Sequence, residues 1–303
     1  MSTSETVAAR DGDYGGSASA VQYHYDVGRE FYRLWLDETL TYSCALWDDA
    51  QPDESLHAAQ LRKIDHHLAA ARAERAEAVL DIGCGWGGLI RRLTERYQPA
   101  HVVGLTLSED QAAYARGMSL PAVDIRLESW TAHAPLRPYD SIVSVGALEH
   151  FTKPEDSVPE KIATYREFFE KCRGWLTPEG RMSLQTISYG SMNREEASAF
   201  INNEIFPASD LPRLAELAAA ADGIFEVSLV RDDRLHYART FQAWANNLRL
   251  HRAEATALVG DEVTKRYERY LKQSSIGFYM GKIGLLRLSL RPIVAGWSAM
   301  SAP

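Results

Sequence analysis

Residues 78–88 have the sequence Ala-Val-Leu-Asp-Ile-Gly-Cys-Gly-Trp-Gly-Gly, an apolar stretch that runs straight into a glycine-rich turn. The apolar and β-branched residues before the turn predict a short buried strand. Gly83, Gly85 and Gly87 allow positive φ angles and a close approach to a ligand, because they carry no Cβ. Apolar residues then recur with helical spacing over residues 89–97. A strand, a glycine-rich turn and a helix in this order predict a nucleotide-binding turn.

The sequence of the next predicted strand distinguishes between two classes of nucleotide-binding site. Gly83, Gly85 and Gly88 fit the G-x-G-x-x-G spacing of dinucleotide enzymes, which place an acid about 20 residues further on to hold the ribose. Here that region is His-Val-Val-Gly-Leu-Thr-Leu at residues 101–107, with no carboxylate at its end. The sequence therefore disfavours NAD.

Short apolar strands alternate with amphipathic helices along the chain, a rhythm typical of a doubly wound parallel sheet. We expect strands at about 78–83, 101–107, 123–128, 139–146, 181–187, 225–230 and 283–290, and helices at about 87–97, 108–117 and 160–175. Residues 152–164, with Pro154 and Pro159 among charges, are expected to form an inserted loop. The predicted fold class is α/β: a doubly wound, mostly parallel seven-stranded sheet with a helical cap or lid.

Composition disfavours several functions. The formal net charge of −8 gives no general attraction to a phosphate backbone, so we expect no nucleic-acid partner. Cys44, Cys84 and Cys172 are too few and too scattered for a disulfide framework, and we assign no metal site. The chain starts without a basic and then apolar leader, and no stretch approaches about 18 uninterrupted apolar residues. We expect a cytoplasmic protein.

Four segments carry a more specific signal. They are residues 79–87 (VLDIGCGWG), 103–111 (VGLTLSEDQ), 142–151 (IVSVGALEHF) and 23–42 (YHYDVGREFYRLWLDETLTY), the last followed by Ser43-Cys44. Together they resemble the S-adenosylmethionine-dependent methyltransferases of the cyclopropane fatty acid and mycolic acid synthase family. The resemblance covers roughly residues 20–290, a single-domain length. It implies a Rossmann-like class I methyltransferase fold with S-adenosylmethionine as co-substrate.

The resemblance also assigns residues that bind the co-substrate. They are Tyr25, Tyr42, Ser43, Gly83, Gly85, Trp86, Thr106, Leu107, Gln111 and Trp130. Thr106 and Gln111 are neutral hydrogen-bonding groups, which suits polar atoms of the ribose or the methionine part where an acid is missing. Trp86 and Trp130 have a second interpretation, because a Trp near a sheet edge is commonly a core aromatic.

Glu149 follows an apolar strand at residues 141–148, where a carboxylate is costly to bury without a partner. We interpret it as a functional acid, and the alternative is a salt-bridged or helix-capping acid. In the family that the chain resembles, the matching Glu holds a bicarbonate ion together with a Cys, a Tyr, a His and a backbone carbonyl, and this ion acts as the base. The matching positions here are Cys44, Tyr237 and the carbonyl of Val145, while Gln185 stands where the His is expected.

Gln185 leaves two hypotheses for the base. A Gln can donate a hydrogen bond to an anion, but it carries no positive charge and shuttles no proton. Either bicarbonate binds through Glu149, Tyr237 and Cys44 with Gln185 as a neutral donor, or Glu149 itself is the base. Cys44 also has a structural interpretation as a small buried hydrophobe.

The resemblance implies that the enzyme transfers a methyl group to an alkene carbon of an apolar or unsaturated acyl substrate. Proton removal assisted by Glu149 then gives a cyclopropane or a methylated carbon. C- or N-methylation of a secondary-metabolite small molecule is the alternative. A third interpretation is a nucleotide-binding module without catalysis, which the acid at position 149 argues against.

Three basic residues near the carboxyl end suit either contact with anionic lipid heads or a solvated strand edge: Lys282, Arg287 and Arg291. Peripheral membrane contact and oligomeric state stay open.

We expect the chain to divide into a disordered arm, a covering segment and a catalytic core. The arm is residues 1–18, which are rich in small and polar residues and lack apolar periodicity. Residues 19–75 form a helical cap that covers the cofactor. Residues 76–303 form the Rossmann-like core, with lid insertions around 190–222 and 238–272.

Overall fold

The computed structural model describes residues 27–193, Glu196 and residues 210–293. Its helices are α1 (Arg29–Arg33), α2 (Leu56–Ala70), α3 (Gly88–Tyr97), α4 (Glu109–Gly117), α5 (Val158–Trp175), α6 (Leu214–Ala221), α7 (Arg234–Leu250) and α8 (Arg252–Tyr279). Its strands are β1 (Ala78–Ile82), β2 (His101–Thr106), β3 (Val123–Leu127), β4 (Tyr139–Val145), β5 (Leu176–Tyr189), β6 (Phe225–Asp232) and β7 (Ile283–Pro292). The predicted arm and part of the predicted lid around 190–222 lie outside the described residues. None of the described helices is long and apolar enough to cross a membrane.

The strands form one seven-stranded sheet in the order β3-β2-β1-β4-β5-β7-β6. All neighbouring pairs from β3 to β5 are parallel, and β7 is antiparallel to both β5 and β6. The chain moves outward from β1 to β3 and then returns to β4, so the strand order reverses between β1 and β4. Ligands of doubly wound sheets bind at such a reversal. The predicted mostly parallel sheet is confirmed.

β1 lies in the middle of the molecule because both of its faces are covered. Val79 packs on one face with Ile64 of α2 and Ile90 of α3. Leu80 packs on the other face in the cluster that contains Phe168 of α5. Parallel strands that are buried in this way have continuous apolar sequences, which explains why β1 was recognisable in the sequence. The glycine-rich turn therefore starts from a rigid central strand.

α1, α7 and α8 pack together through rings from distant parts of the chain. This aromatic cluster consists of Phe31, Tyr32, Trp35, Tyr42, Trp86, Tyr237, Phe241, Trp244, Tyr267, Tyr270 and Phe278. It connects the helices near both ends of the described chain with Trp86 in the glycine-rich turn. Residues 238–272, predicted as a lid insertion, lie within α7 and α8.

The loop predicted at residues 152–164 is wrong in its second half, because α5 begins at Val158. Glu160 accepts a hydrogen bond from the backbone N–H of Ser157 at 2.8 Å, which satisfies a donor at the start of the helix. Pro159 lies in the first turn, where a missing N–H breaks no helical hydrogen bond. The proline that suggested a loop is therefore part of a helix start.

Candidate active site

A cleft opens at the carboxyl ends of β1, β2 and β4. It encloses about 1290 Å³, including its open mouth. Every predicted cofactor residue within the described chain lines it: Tyr42, Ser43, Gly83, Gly85, Trp86, Thr106, Leu107, Gln111 and Trp130. Tyr25 lies outside the described residues. The fold thus brings together residues from four separate segments of the sequence.

The glycine-rich turn forms the floor of this cleft. Gly83 has a φ angle of 81°, and a Cβ added there would lie 2.7 Å from the Cβ of Ala147. The backbone N–H groups of Gly83 and Cys84 both donate to the carbonyl of Leu105 at 2.9 Å. Gly87 precedes α3 with a φ angle of 80°. The turn therefore needs glycine both for its backbone conformation and for close packing against the segment after β4.

The end of β2 offers neutral hydrogen-bonding groups to a ligand. The Thr106 hydroxyl donates to Oε1 of Gln111 at 2.7 Å, and the backbone N–H of Ser108 donates to the Thr106 hydroxyl at 3.2 Å. Because Oε1 of Gln111 is occupied, the amide N–H₂ of that side chain is the end available to a ligand in the cleft. Such a pair suits a hydroxyl-bearing ligand and supplies no acid of the kind that NAD sites use.

The two tryptophans of the cleft also belong to the core. Trp86 is 3% exposed, and its ring centroid lies 5.0 Å from that of Tyr32. Trp130 is 6% exposed and packs against Phe151 and Phe168 with centroid distances of 5.0 and 5.3 Å. Each therefore lines the cleft and fills the core, so the two sequence interpretations are compatible.

A buried polar stripe on α2, formed by Gln60, Lys63 and His67, escaped the sequence analysis. Gln60 donates from Nε2 to the carbonyl of Ser43 at 2.9 Å, and Lys63 donates from Nζ to the Ser43 hydroxyl at 2.7 Å. Lys63 and Asp81 both line the cleft and are each 2% exposed. The sequence did contain a signal for Asp81, because a charged residue inside an apolar strand is unusual. A carboxylate beside an apolar strand was also the signal that singled out Glu149.

Glu149 binds the part of β5 that extends beyond β4. The pairing of β4 with β5 ends at Val145 and Gln185, while β5 continues to Tyr189. The backbone N–H of Ile187 donates to Oε1 of Glu149 at 2.6 Å. Oε2 of the same carboxylate is buried and has no hydrogen-bond partner in the structure. Burial raises the pKa of Glu149 to about 7, and the hydrogen bond from Ile187 opposes this increase.

Arg287 of β7 connects Gln185 with Cys44. Its Nε donates to Oε1 of Gln185 at 2.9 Å, and its Nη2 donates to the carbonyl oxygens of Cys44 and Ala45 at 3.3 and 3.2 Å. Its Nη1 is ion-paired with Asp233. Arg287 is 1% exposed, so both sequence interpretations of this residue, contact with lipid head groups and a place on a solvated strand edge, are wrong. Burial raises the pKa of the Cys44 thiol to about 12, which keeps it protonated.

His67 completes the surroundings of Gln185 from α2. Its Nε2 lies 3.2 Å from Oε1 of Gln185, and its Nδ1 lies 2.8 Å from the Ser183 hydroxyl. Burial holds the pKa of His67 well below its usual value, so the ring is neutral. An N–H at Nε2 that donates to Gln185, with Nδ1 accepting from Ser183, satisfies this geometry. Since two donors engage Oε1, the amide nitrogen of Gln185 is the end that can still donate.

Tyr237 lies in the aromatic cluster, in the same apolar group as Cys44. Its ring centroid is 4.7 Å from that of Phe241 and 4.5 Å from that of Phe278. The structure thus links Cys44 with Gln185 through Arg287. Glu149 contacts the strand that carries Gln185, because it accepts a hydrogen bond from Ile187 of that strand. The catalytic roles of Glu149, Cys44, Tyr237 and Gln185 stay predictions.

Comparison with known proteins identifies the family. A family model described as mycolic acid cyclopropane synthetase matches residues 15–288. Cyclopropane mycolic acid synthase 3 of Mycobacterium tuberculosis is 38% identical over 270 residues, which cover 83% of this chain and 89% of that protein. The structure of the cyclopropane synthase MmaA2 from Mycobacterium tuberculosis matches with a TM-score of 0.80 at 32% identity, over 94% of this chain and 99% of that chain.

A second solved structure bears on the ligand. Mycolic acid cyclopropane synthase CmaA1, complexed with SAH and CTAB, matches with a TM-score of 0.79 at 34% identity, over 90% of this chain and 97% of that chain. The cleft described above fits the same ligand class, because its glycine turn admits a close ligand and the end of β2 offers neutral groups. S-adenosylmethionine is therefore the co-substrate, and the chain is a methyltransferase that belongs to the mycolic acid cyclopropane synthetase family.

Proposed function

We propose that this enzyme transfers the methyl group of S-adenosylmethionine to an alkene carbon of an apolar, unsaturated acyl-type substrate, and that Glu149 removes the proton. The observation that carries this proposal is the Glu149 carboxylate. It is 4% exposed, its Oε2 has no hydrogen-bond partner among the described residues, and its pKa is raised to about 7. A carboxylate with such a pKa is an effective general base at neutral pH, because it is substantially ionised and still accepts a proton readily.

The proposed reaction balances without an additional redox partner. The bond between sulfur and the methyl carbon breaks, and its electron pair leaves with sulfur. The π electrons of the alkene form the new carbon–carbon bond, which leaves a cation on the other alkene carbon. Glu149 takes a proton from the new methyl group, and the electrons of that C–H bond close the cyclopropane ring. Loss of a proton from a neighbouring carbon gives a methylated alkene instead.

The aromatic cluster supports an apolar acceptor and a positively charged transition state. Trp35 and Trp244 are fully buried, and both ring centroids lie within 5.3 Å of that of Tyr42, which lines the cleft. Aromatic faces stabilise nearby cations through the ring quadrupole. The related CmaA1 was solved with the detergent CTAB beside SAH, which also favours an apolar substrate.

Two of the side chains expected to hold bicarbonate, Cys44 and Gln185, are engaged with other groups of the protein. Cys44 directs its thiol to the carbonyl of Ala45 at 3.1 Å, and Gln185 directs Oε1 to Arg287 and His67. The Cys44 thiol and Oε1 of Gln185 are thus directed at protein groups, and we therefore route proton removal through Glu149. Turnover in bicarbonate-depleted buffer, with and without added bicarbonate, distinguishes the two hypotheses. We expect no response, whereas stimulation by bicarbonate would restore the ion as the base.

S-adenosylmethionine with a trideuterated methyl group provides the main test. The enzyme is offered unsaturated phospholipid vesicles and, separately, a small-molecule extract, and the products are weighed by mass spectrometry. A lipid product that retains two deuteriums shows that the new methyl lost one to the base and that a ring closed. Three retained deuteriums show simple methylation. A labelled small molecule without lipid labelling contradicts the acyl proposal and favours the C- or N-methyltransferase alternative.

The cellular setting is part of the same proposal. Cys44, Cys84 and Cys172 are buried and free, which supports a reducing, cytoplasmic compartment. We propose that the enzyme contacts a membrane only peripherally. Co-sedimentation with the vesicles of the labelling assay tests that contact independently of turnover.

A further inference from the structure

The carboxyl-terminal end of α8 exposes large apolar side chains. Ile276, Tyr279 and Met280 are 48%, 72% and 63% exposed, and we call these three residues the apolar tip. Because positions 279 and 280 follow position 276 by three and four residues, all three lie on one face of the helix end. Single apolar residues are common on protein surfaces, but a group of them on one helix face indicates an interaction surface.

The backbone of the apolar tip is held by two neighbouring elements. Nη1 of Arg234 in α7 donates to the carbonyl oxygens of Phe278 at 3.0 Å and Tyr279 at 2.7 Å. The N–H of Ser191, two residues after β5, donates to the carbonyl of Gly281 at 2.9 Å. Gly281 has a φ angle of 69°, which ends the helix. The apolar side chains are therefore exposed from a hydrogen-bonded backbone and not from a frayed helix end.

Basic residues accompany the apolar tip. Residues 269–282 include Arg269, Lys272 and Lys282 and no acidic residue, although the whole chain has a formal net charge of −8. Arg269 and Lys272 are exposed on the same helix face as the tip. Beside the tip, Arg234 and Asp232 carry opposite charges that offset each other. This face is therefore positive on a negatively charged protein, so electrostatic attraction turns it toward an anionic partner.

The apolar tip lies at the edge of the sheet where the cleft opens. β7 begins at Ile283, just after the tip, and Ile283 pairs with Tyr189 at the carboxyl end of β5. Since β5 is parallel to β4, and β4 to β1, this end of β5 lies at the edge that carries the cleft. Only β5 separates β7 from β4, a distance of about 10 Å across the sheet. A surface bound at the tip would therefore lie on the cleft side of the molecule.

We propose that the apolar tip, together with Arg269, Lys272 and Lys282, docks the enzyme on an anionic phospholipid bilayer. The tip enters the boundary between head groups and acyl chains, and the basic side chains meet the lipid phosphates. Tyr279 suits this boundary, because its ring is apolar and its hydroxyl is polar. This docking rests on the proposed function for its purpose, which is to bring an unsaturated acyl acceptor to the cleft, but binding to a bilayer requires no turnover.

Co-sedimentation of the full chain with vesicles tests the docking without S-adenosylmethionine. We expect binding to mixed phosphatidylglycerol–phosphatidylcholine vesicles and much weaker binding to phosphatidylcholine alone. The double variant Tyr279→Ser/Met280→Ser should bind the anionic vesicles about 10-fold more weakly or worse, since it removes apolar groups from the interface. Lys272→Gln/Lys282→Gln should weaken binding about 10- to 30-fold and reduce its dependence on salt, because each lysine near a bilayer contributes about fivefold.

Leu136 and Arg137 provide matched controls at the other edge of the sheet. Both are exposed in the loop before β4, whose amino end lies away from the cleft. Leu136→Ser and Arg137→Gln should leave vesicle binding unchanged. Thermal melting checks that every variant folds, and the lysine variant decides the question if the tip variant does not.

Three outcomes would overturn the docking proposal. The unmodified enzyme fails to bind anionic vesicles, or the tip and lysine variants bind them as well as the unmodified enzyme does. In the third outcome, the tip substitutions leave vesicle binding unchanged and instead abolish self-association or binding to an acidic protein, which would assign the tip to another partner.

Methyl transfer to a detergent-dispersed unsaturated acyl lipid separates this docking from the proposed function. The tip variant should methylate the dispersed lipid at the unmodified rate and lose turnover only on vesicles. Equal losses on both substrates contradict the docking role, because the tip would then support the cleft itself. If the unmodified enzyme methylates neither substrate, the proposed function fails, and vesicle binding still decides the docking.

Discussion

Glu149 combines a structural contact with the proposed role as the base in one carboxylate. Oε1 accepts a hydrogen bond from the N–H of Ile187, which lies beyond the end of the pairing with β4. Oε2 is buried, and no atom in the described part of the chain forms a hydrogen bond with it. Because burial raises its pKa to about 7, ionising it in the folded protein is costly. Sequence alone identified this acid, since it follows an apolar strand. Sequence could not identify its hydrogen-bond partner, because Ile187 lies on β5, far away along the chain. The hydrogen bond depends on how far β5 extends beyond the end of β4.

Replacing Glu149 by Gln should greatly reduce turnover and leave SAH binding intact. Gln keeps the contact to Ile187 but cannot accept a proton, so we expect a loss of about 10²- to 10⁴-fold in kcat. In the unmodified enzyme kcat should rise with pH up to about 7 and then level off, since the base acts in its ionised form. Glu179→Gln, at an exposed position, is the control. Unchanged turnover in Glu149→Gln would remove this residue from the mechanism.

The same substitution should affect stability with a defined sign. The folded protein binds the Glu149 proton more tightly than the unfolded chain, so this group lowers stability as pH rises from about 4.5 to about 7. Above about pH 7, this loss of stability no longer changes with pH. We therefore expect Glu149→Gln to be more stable than the unmodified protein by roughly 1–3 kcal/mol at pH 8 and equal at pH 4. Urea unfolding at both pH values measures this difference, and a pH-independent difference would contradict it.

At the scale of elements, sequence alone predicted one unit of the fold: the strand β1, the turn at residues 83–87 and the helix α3. It did so because the features that specify this unit are local in sequence. The apolar run, the glycines and the helical periodicity all lie within about 20 consecutive residues. The polar stripe of α2 was not predictable in this way. Its residues are recognisable as buried only when the helix face that packs on the sheet is known, and that face is fixed by distant contacts.

Gly83→Ala should disrupt the cleft. The residue has a φ angle of 81°, and its added Cβ would meet that of Ala147 at 2.7 Å. We expect a loss of roughly 2–5 kcal/mol in the free energy of unfolding, together with weaker SAH binding. Gly117→Ala is the matched control, because Gly117 ends α4 with open space around it, and it should change stability by less than about 1 kcal/mol. Similar losses in the two variants would show that the turn tolerates a side chain.

At the scale of the whole molecule, Arg287 joins parts of the chain that sequence analysis treated separately. It connects β7 with Gln185 on β5, with Asp233 before α7 and with the Cys44–Ala45 segment. The resemblance to a family predicted Cys44 and Gln185 as one site. Nothing local in the sequence marked Arg287 as buried, since a basic residue on a strand usually faces solvent.

Arg287→Met should be strongly destabilising. It leaves Asp233 without its buried partner and removes donors from the Cys44 and Ala45 carbonyls, so we expect a loss of about 3–5 kcal/mol. Arg291→Met on the same strand is the control. The ion pair of Arg291 with Glu226 is half exposed, and its loss should remain below about 1 kcal/mol. Chemical denaturation of both variants provides the comparison, and a small loss for Arg287→Met would show that the buried pair contributes little.

The aromatic cluster also makes the enzyme an optical reporter of its own cleft. Trp86 lines the cleft and lies 5.0 Å from Tyr32, which lies 5.3 Å from Trp35, and Trp35 lies 5.7 Å from Trp244. Over such separations, excitation energy passes readily from phenol to indole rings and between indole rings. A cationic sulfonium beside Trp86 would then quench emission from rings that never touch it. Binding at the glycine turn can therefore be followed by intrinsic fluorescence, without any added dye.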